Sequence, residues 1–79
     1  MKVKVKYFAA MRDLANKTEE IVETNAQSPI ELYDELKNIY DFQISMDHLK
    51  VAINDEYVDF SNPINELDTI VFIPPVAGG

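Results

Sequence analysis

The sequence predicts an α+β domain in which one main helix lies across one mixed β-sheet. Three observations carry this prediction: lysine alternates with apolar residues at 2–7, a helix with a Ser-Pro start occupies 29–40, and a nearly continuous apolar run fills 69–73. One helix on one sheet gives two layers around a single core. A chain of 79 residues is expected to be one domain, 1–79, with a compact core.

The first half of the predicted sheet is a hairpin near the N-terminus. The alternation at residues 2–7 predicts a strand with one buried face and one solvated face. Phe8 follows on the lysine side, where an aromatic residue is less expected. Residues 9–17 are predicted to form a helical turn or structured connection, and residues 19–24 a second strand antiparallel to the first.

The main helix, residues 29–40, has the clearest local signal in the chain. Ser28 and Glu31 match a capping box, in which each side chain accepts a hydrogen bond from the other residue's amide. Pro29 occupies the first helical position, where its missing N–H leaves no bond unmade. Apolar residues then recur at spacings of three and four, which predicts an amphipathic helix packed on a sheet.

The second half of the sheet follows the helix. Residues 50–54 are predicted to form a strand, Asn54-Asp55-Glu56 a turn, and residues 57–60 a short returning strand. The run at residues 69–73 has the composition of a central strand, and the two prolines after it cannot donate to a ladder. The first and last strands are predicted to lie side by side in the middle of the sheet.

The net charge of −7 is unevenly placed along the chain. Residues 1–12 carry four basic residues and no acid, whereas residues 13–79 carry three lysines and all 14 acids, a charge of −11. Such a chain lacks the basic footprint of a general nucleic-acid binder. The acidic body is expected to attract a basic partner surface, or it serves solubility alone.

Cysteine is absent and histidine occurs once, which removes most of the familiar catalytic residues. There is no disulfide scaffold, thiolate metal site or cysteine nucleophile. His48 alone does not make a metal site and is expected on the surface or in a loop. No apolar run approaches the about 20 residues of a membrane span. The alternating N-terminus also differs from a secretory signal, so we expect a cytoplasmic location.

Residues 74–79 differ in character from the predicted body, residues 1–73. Two prolines favour an extended conformation, and Gly78-Gly79 lack side chains, so a flexible tail able to enter a narrow channel is expected. A terminal carboxylate on such a stalk can be activated by transfer to the α-phosphate of ATP. A sulfur nucleophile or an amine then displaces AMP. On composition alone, a frayed and functionless end is the alternative.

Three separated segments are Tyr7-Phe8-Ala9-Ala10-Met11-Arg12, Val51-Ala52-Ile53-Asn54 and the ending Val71-Phe72-Ile73-Pro74-Pro75-Val76-Ala77-Gly78-Gly79. In this order they resemble the small, sulfur-carrier subunits of molybdopterin synthase, of the MoaD/ThiS-type ubiquitin-like family. The resemblance spans the whole chain, and the ending is its most specific part. The chain has Leu67-Asp68 where the family commonly has Gly-Asp, and Ala77 where it often has Ser or Thr.

The resemblance implies a β-grasp fold, with a mixed sheet of four to five strands on one main helix. It implies that a ubiquitin-activating-type adenylyltransferase uses ATP to adenylate Gly79, and that a sulfur donor enzyme converts the adenylate to a thiocarboxylate. The tail, formed by Pro74, Pro75, Val76, Ala77 and Gly78, is implied to enter the large subunit of molybdopterin synthase and deliver sulfur for the dithiolene of the molybdenum cofactor. Two small and two large subunits are implied to form a heterotetramer. The small subunit is expected to hold no metal, no permanent cofactor and no catalytic residue.

Partner contacts are expected beside the tail. Alternation along the strands predicts that Phe8 and Ile73 point away from the helix and form an exposed apolar patch, which usually marks an interaction site. The family uses apolar contacts at positions matching Phe8, Tyr57 and Ile73, so the resemblance implies an interface there. Ordinary sheet-edge or core residues are the alternative. The resemblance also implies Arg12 as a polar contact.

Other functions fit the same chemistry. They are a sulfur carrier for thiamin thiazole or transfer-RNA thiolation, a protein modifier joined to lysines, and a binding module with an idle tail. The Pro-Pro-Val-x-Gly-Gly ending and the Tyr-Phe-Ala start favour the molybdopterin synthase subunit.

Overall fold

Five strands, two α-helices and one 3₁₀ helix occupy residues 1–75, the part of the chain that the computed structural model describes. In chain order they are β1 (Lys2–Tyr7), α1 (Ala9–Ala15), β2 (Glu19–Glu23), α2 (Pro29–Tyr40), the 3₁₀ helix (Met46–His48), β3 (Lys50–Ile53), β4 (Glu56–Val58) and β5 (Thr69–Ile73). The predicted helical turn or connection after the first strand is thus a helix of seven residues.

The strands form one mixed sheet in the order β2-β1-β5-β3-β4. β5 runs parallel to β1, whereas the other neighbouring strands are antiparallel. The prediction that the first and last strands lie side by side in the middle of the sheet is confirmed. With α2 packed across one side of the sheet, this topology confirms the predicted β-grasp fold.

Each strand divides its residues between an inner face, covered by α2, and an outer face that is left open. On β1 the inner residues Val3, Val5 and Tyr7 are buried, and the lysines between them project from the outer face. On β5 the register partners of Val5 and Tyr7 are Ile70 and Phe72, which are also fully buried. A slip of one residue would expose this whole apolar set, so burial at period two fixes the register.

The bounds of α2, Pro29–Tyr40, are those predicted. Its apolar side chains recur on one face, and they enter the core beneath the sheet: Leu32, Tyr33 and Leu36. The helix ends where Asp41 takes a left-handed backbone conformation with φ of 58°, a common way to terminate an α-helix.

The predicted capping box at the start of α2 is wrong. Ser28 has the extended backbone of an N-cap residue, but its side chain makes no capping hydrogen bond to Glu31. The Ile30 amide instead donates to the carbonyl of Phe60 at 3.2 Å. A tertiary contact with the loop after β4 therefore satisfies part of the helix start, where local side-chain capping was expected.

A two-residue turn joins β3 to β4. Asn54 and Asp55 both have positive φ, 51° and 73°, as the primed turns of tight hairpins require. The returning strand, predicted at 57–60, occupies Glu56–Val58 because pairing resumes directly after this short turn. Asp59 already belongs to the next turn, where its carbonyl accepts a hydrogen bond from an amide three residues on at 3.0 Å.

The segment between α2 and β3, to which the sequence assigned no element, is anchored by Phe42. Its buried ring stacks on Tyr33 at 6.1 Å between centroids and lies 5.9 Å from Tyr7. The Tyr33 hydroxyl donates to the carbonyl of Ile44 at 2.5 Å. These contacts hold Ile44 against the body of the protein, close to the residues that follow β1.

Candidate interaction site at the end of the last strand

The candidate site surrounds the point where β5 ends. Pairing stops at Ile73 because Pro74 and Pro75 have no N–H to donate to the ladder. Pro74 is buried and Pro75 is exposed. These three residues, here called the ridge, line two separate clefts. The predictions for Val76, Ala77, Gly78 and Gly79 lie outside the described residues.

The first cleft, here called the apolar cleft, has a volume of about 490 Å³. Besides the ridge it is lined by Phe8, Ala9, Ala10 and Ile44. The Phe8 side chain is 47% exposed, and every side chain lining the cleft is apolar. An exposed apolar hollow of this kind is typical of a protein interaction surface.

A left-handed residue follows Phe8 at the junction of β1 and α1. Phe8 itself is extended, with φ of −127° and ψ of 154°, and the next residue, Ala9, has φ of 51°. The Phe8 carbonyl then accepts from the amides of Met11 and Arg12 at 3.1 and 3.3 Å, which begins α1. A left-handed alanine costs about 1–2 kcal/mol, and such strain often occurs at functional sites.

The second cleft, here called the cationic cleft, has a volume of about 320 Å³ and lies on the other strand neighbouring β5. Besides the ridge it is lined by His48, Lys50 and Tyr57. The Lys50 ammonium lies 5.8 Å from the centroid of the Tyr57 ring, a cation–π arrangement. Tyr57 is 70% exposed, so its ring is available for contact from solvent.

The structure places three of the four predicted interface residues around the ridge. Phe8 lies in the apolar cleft, Tyr57 lies in the cationic cleft, and Ile73 lines both. Arg12 is exposed on α1 and lines neither of these two clefts, although its amide bonds to the Phe8 carbonyl. The roles of these four residues as partner contacts stay predictions.

Five lining residues were missed by the sequence analysis as contributors to the site: Ala9, Ala10, Ile44, His48 and Lys50. Ile44 belongs to a segment without a periodic pattern, so no local signal places it beside Phe8. His48 was expected on the surface, and it is exposed, but its neighbours depend on the packing of the 3₁₀ helix. Lys50 alternates with the buried Val51, a signal that does predict an outward side chain.

A polar network holds the end of β1 from which Phe8 follows. The Glu20 carboxylate accepts hydrogen bonds from the Tyr7 hydroxyl at 2.5 Å and from the Tyr40 hydroxyl at 2.6 Å. The Lys17 ammonium lies 3.4 Å from the same carboxylate and over the Tyr40 ring. The network joins β1, β2 and the last turn of α2.

The ionisation of this network follows from burial and hydrogen bonding. Burial, reinforced by the Glu20 carboxylate, raises the pKa of Tyr7 far above its ordinary value. Burial alone would raise the pKa of Glu20, but the hydroxyls of Tyr40 and Tyr7 and the Lys17 charge outweigh it and hold that pKa below its ordinary value. Tyr7 therefore stays a protonated donor and Glu20 stays an ionised acceptor.

The described residues, 1–75, contain neither a metal-binding cluster nor a membrane-spanning helix. No group of three or more histidine, cysteine, aspartate or glutamate side chains in this range is arranged to hold a metal ion. In the same range, no helix combines the length and the apolar character needed to cross a membrane.

Residues 5–79 match the ThiS family. A Mycobacterium tuberculosis protein named molybdopterin synthase sulfur carrier subunit is 32% identical over 82 residues. That alignment covers 100% of this chain and 99% of the relative.

Solved structures agree in fold over nearly the whole chain. A Pyrococcus furiosus protein assigned as molybdopterin converting factor subunit 1 has a TM-score of 0.79 and 32% identity, covering 96% of this chain and 99% of that one. A Helicobacter pylori complex of subunits 1 and 2 of molybdopterin-converting factor gives a TM-score of 0.70 at 25% identity, with full coverage of both chains. Small archaeal modifier protein 1 from Haloferax volcanii gives 0.80 at 21% identity, also with full coverage, and this likeness shows the fold alone.

Proposed function

The chain belongs to the ThiS family, and from that premise we propose that it is the sulfur-carrier small subunit of a molybdopterin synthase. The observation that carries the proposal is the full-length similarity to the M. tuberculosis sulfur carrier subunit. The geometry supports it, because the ridge at the end of β5 lines an exposed cleft on each side. Gly78-Gly79 follow the ridge in sequence.

The proposed reactive group is the α-carboxylate of Gly79. It attacks the α-phosphorus of ATP on an activating adenylyltransferase, which releases pyrophosphate and leaves a glycyl adenylate. A hydrosulfide-level sulfur from a donor enzyme then attacks the acyl carbon, AMP leaves, and a thiocarboxylate remains. The proposal requires that Gly79 carry a free α-carboxylate in the functional protein.

The proposed division of labour assigns docking and sulfur delivery to this chain, and catalysis to its partner. In the H. pylori relative the corresponding subunit forms a complex with subunit 2. We propose that a large subunit binds this chain at the ridge and its two clefts, while the last part of the tail, residues 76–79, carries the thiocarboxylate to the bound pterin precursor. Two such carriers in a heterotetramer would supply the two sulfurs of the dithiolene.

An intact-mass measurement tests the sulfur-carrier chemistry. The full chain is incubated with its activating enzyme, ATP and a sulfur donor, and a mass gain equal to the difference between sulfur and oxygen is expected. A variant lacking Gly79 serves as the matched control and should show no gain. An unchanged mass for the wild-type chain, with ATP consumed, would contradict the proposal.

A second measurement distinguishes the pathways. The thiocarboxylated chain is mixed with a large subunit loaded with pterin precursor, and dithiolene formation is followed. A thiocarboxylate that forms but transfers no sulfur here would favour a carrier for thiamin or transfer-RNA thiolation. Conjugates of higher mass, with the chain joined to lysines, would favour a protein modifier, a function for which the H. volcanii likeness supplies the fold alone.

A further inference from the structure

The outer face of the sheet carries charge opposite to the net charge of the molecule, which is −7. Lysines occupy the outward positions of β1 and the first outward position of β3, at Lys2, Lys4, Lys6 and Lys50. Of the 14 acidic residues, only Glu19 and Glu23 take outward positions on the strands described, both on the edge strand β2. A partner that meets the centre of this face therefore meets cations.

The lysines of the outer face differ in what lies beside them. Across the β1–β2 pair the Lys4 ammonium lies 3.1 Å from the Glu19 carboxylate. None of the ion pairs within residues 1–75 includes Lys50, whose neighbour on β5 is Ile73. Asp59 lines an adjoining hollow with Lys50 and Tyr57 but lies beyond ion-pairing distance. Lys2 and Lys6 also lack an ion pair in this range, but they line neither of the two clefts. Lys50 is thus the lysine beside the ridge that the fold leaves without a carboxylate at ion-pairing distance.

The surroundings of Lys50 favour a protein partner over a small free anion. Its ammonium is held near the Tyr57 ring, and the ridge supplies an apolar wall beside it. An exposed tyrosine beside an apolar surface, as Tyr57 is here, is typical of the energetic centre of protein interfaces. A carboxylate presented by a protein that also covers the ridge would be shielded from water together with Lys50, which strengthens their attraction.

We propose that Lys50 binds a carboxylate of the large subunit at the rim of the opening that receives the C-terminal segment. This inference rests on the proposed function and adds the charge of the partner surface to it. Overall the chain is acidic, so its long-range attraction is to basic surfaces. Lys50, in contrast, requires an acidic group on the partner at the point of contact, and a uniformly basic surface does not supply one. Lys50 therefore contributes to the choice of partner.

A series of substitutions at one position tests the inference. Binding of the full chain to the isolated large subunit is measured by calorimetry for the wild type and for Lys50→Arg, Lys50→Gln and Lys50→Glu. We expect Kd within about twofold of wild type for arginine, about fivefold weaker for glutamine and about 30-fold weaker for glutamate. Thermal unfolding of each variant checks that the fold is retained, which the exposure of Lys50 favours.

Lys37→Glu is the matched control. Lys37 is exposed on α2, on the opposite side of the sheet, and its reversal changes the net charge by the same amount as Lys50→Glu. We expect Lys37→Glu to bind within about twofold of wild type, because exposed charges far from an interface are screened by salt. Equal weakening by Lys37→Glu and Lys50→Glu would overturn the inference, since net charge would then explain both.

The remaining outcomes separate the inference from the proposed function. Restored binding between Lys50→Glu and a large subunit with one rim carboxylate changed to lysine identifies the contact. Wild-type binding and sulfur transfer, together with undiminished binding of Lys50→Glu, would overturn the inference and leave the proposed function intact. A wild-type chain that neither binds the large subunit nor forms a thiocarboxylate would remove both.

Discussion

Neighbouring residues of β5 serve the two faces of the sheet in different ways. Ile70 and Phe72 are fully buried beneath α2, whereas Val71 and Ile73 are partly exposed on the outer face. The inner face is specified by volume, because close-packed interiors respond to the loss of even one methylene group. On the outer face, the side chains that remain exposed determine which partner can bind. Substitutions one residue apart should therefore separate stability from docking.

The polar groups of the two faces also differ: those on the inner side have partners within the fold, whereas Lys50 on the outer side has no ion pair among the described residues. On the inner side, Glu20 accepts from two tyrosine hydroxyls, and no buried side-chain nitrogen or oxygen of residues 1–75 lacks a hydrogen-bond partner. On the outer side, Lys50 has an aromatic neighbour and no carboxylate within ion-pairing distance in the same range. Polar groups that are already paired support the fold, and a group left without its counter-charge is available to a partner.

The largest expected effect comes from breaking the inner face at Phe72. Phe72→Ala removes a fully buried ring that contacts Tyr33 and Phe60, and it should lower the free energy of unfolding by about 3–5 kcal/mol. Ile73→Ala, one residue on, should lower it by about 1 kcal/mol. Urea unfolding followed by circular dichroism measures both. Equal losses at the two positions would contradict the assignment of faces.

The next effect tests the outer face at Phe8. Phe8→Ala should weaken binding to the large subunit by about 2 kcal/mol, about 30-fold in Kd, because an aromatic anchor is removed from the apolar cleft. Leu14→Ala is the control, since Leu14 is also an exposed apolar residue, 50% exposed, but lines neither of the two clefts around the ridge. Equal weakening by both variants would show that exposed apolar area in general, and not the cleft, governs binding.

A smaller effect concerns the network on the inner side. Glu20→Gln should lower the free energy of unfolding at neutral pH by about 1.5 kcal/mol, because two charge-assisted hydrogen bonds are replaced by neutral ones. The pKa of Glu20 is lowered in the folded protein, so the folded state binds its proton less readily than the unfolded state. The stabilisation is present above the ordinary pKa of 4.5 and is lost as pH falls below it toward the folded value.

Urea unfolding of both proteins between pH 7 and pH 3 checks this sign. The difference between wild type and Glu20→Gln should shrink below about pH 5, where the wild-type carboxylate begins to gain a proton in the unfolded state. A difference that grows as pH falls would mean that burial dominates and that the pKa is raised. Phe8-dependent binding at neutral pH should be retained, since Glu20 faces the inner side.

The elements that the sequence predicted well are those whose signal is local. Alternation at residues 2–7 and the spacing of apolar residues in α2 each reflect one face of one element. The predicted Ser28–Glu31 capping box does not form, and at the same helix start the Ile30 amide bonds to the carbonyl of Phe60, which is distant in sequence. Local patterns carry no information about such a partner.

The same limit explains what was predicted of the site. Phe8 and Ile73 were predicted to lie near each other because the first and last strands were expected to be neighbours. The parallel register, with Tyr7 opposite Phe72, does bring them together. The position of Lys50 opposite Ile73 depends on the β3–β5 register, and Ile44 depends on the packing of Phe42 beneath Tyr33. The positions of both residues arise from contacts between segments that are distant in sequence. Alternation along a strand predicts which way the Lys50 side chain points, but it does not predict which residues lie beside it.

The smallest expected effect lies at the start of β5, far from the ridge, and belongs to neither face. Leu67 is 70% exposed with φ of 65°, so it adopts the left-handed conformation that glycine takes without a steric cost. Relief of about 1–2 kcal/mol of strain, offset by about 0.5–1 kcal/mol of chain entropy, should make Leu67→Gly more stable by about 0.5–1 kcal/mol. Leu67→Ala keeps the Cβ atom and should leave stability unchanged. If alanine stabilises as much as glycine in urea unfolding, removal of an exposed apolar side chain is the cause and backbone strain is not.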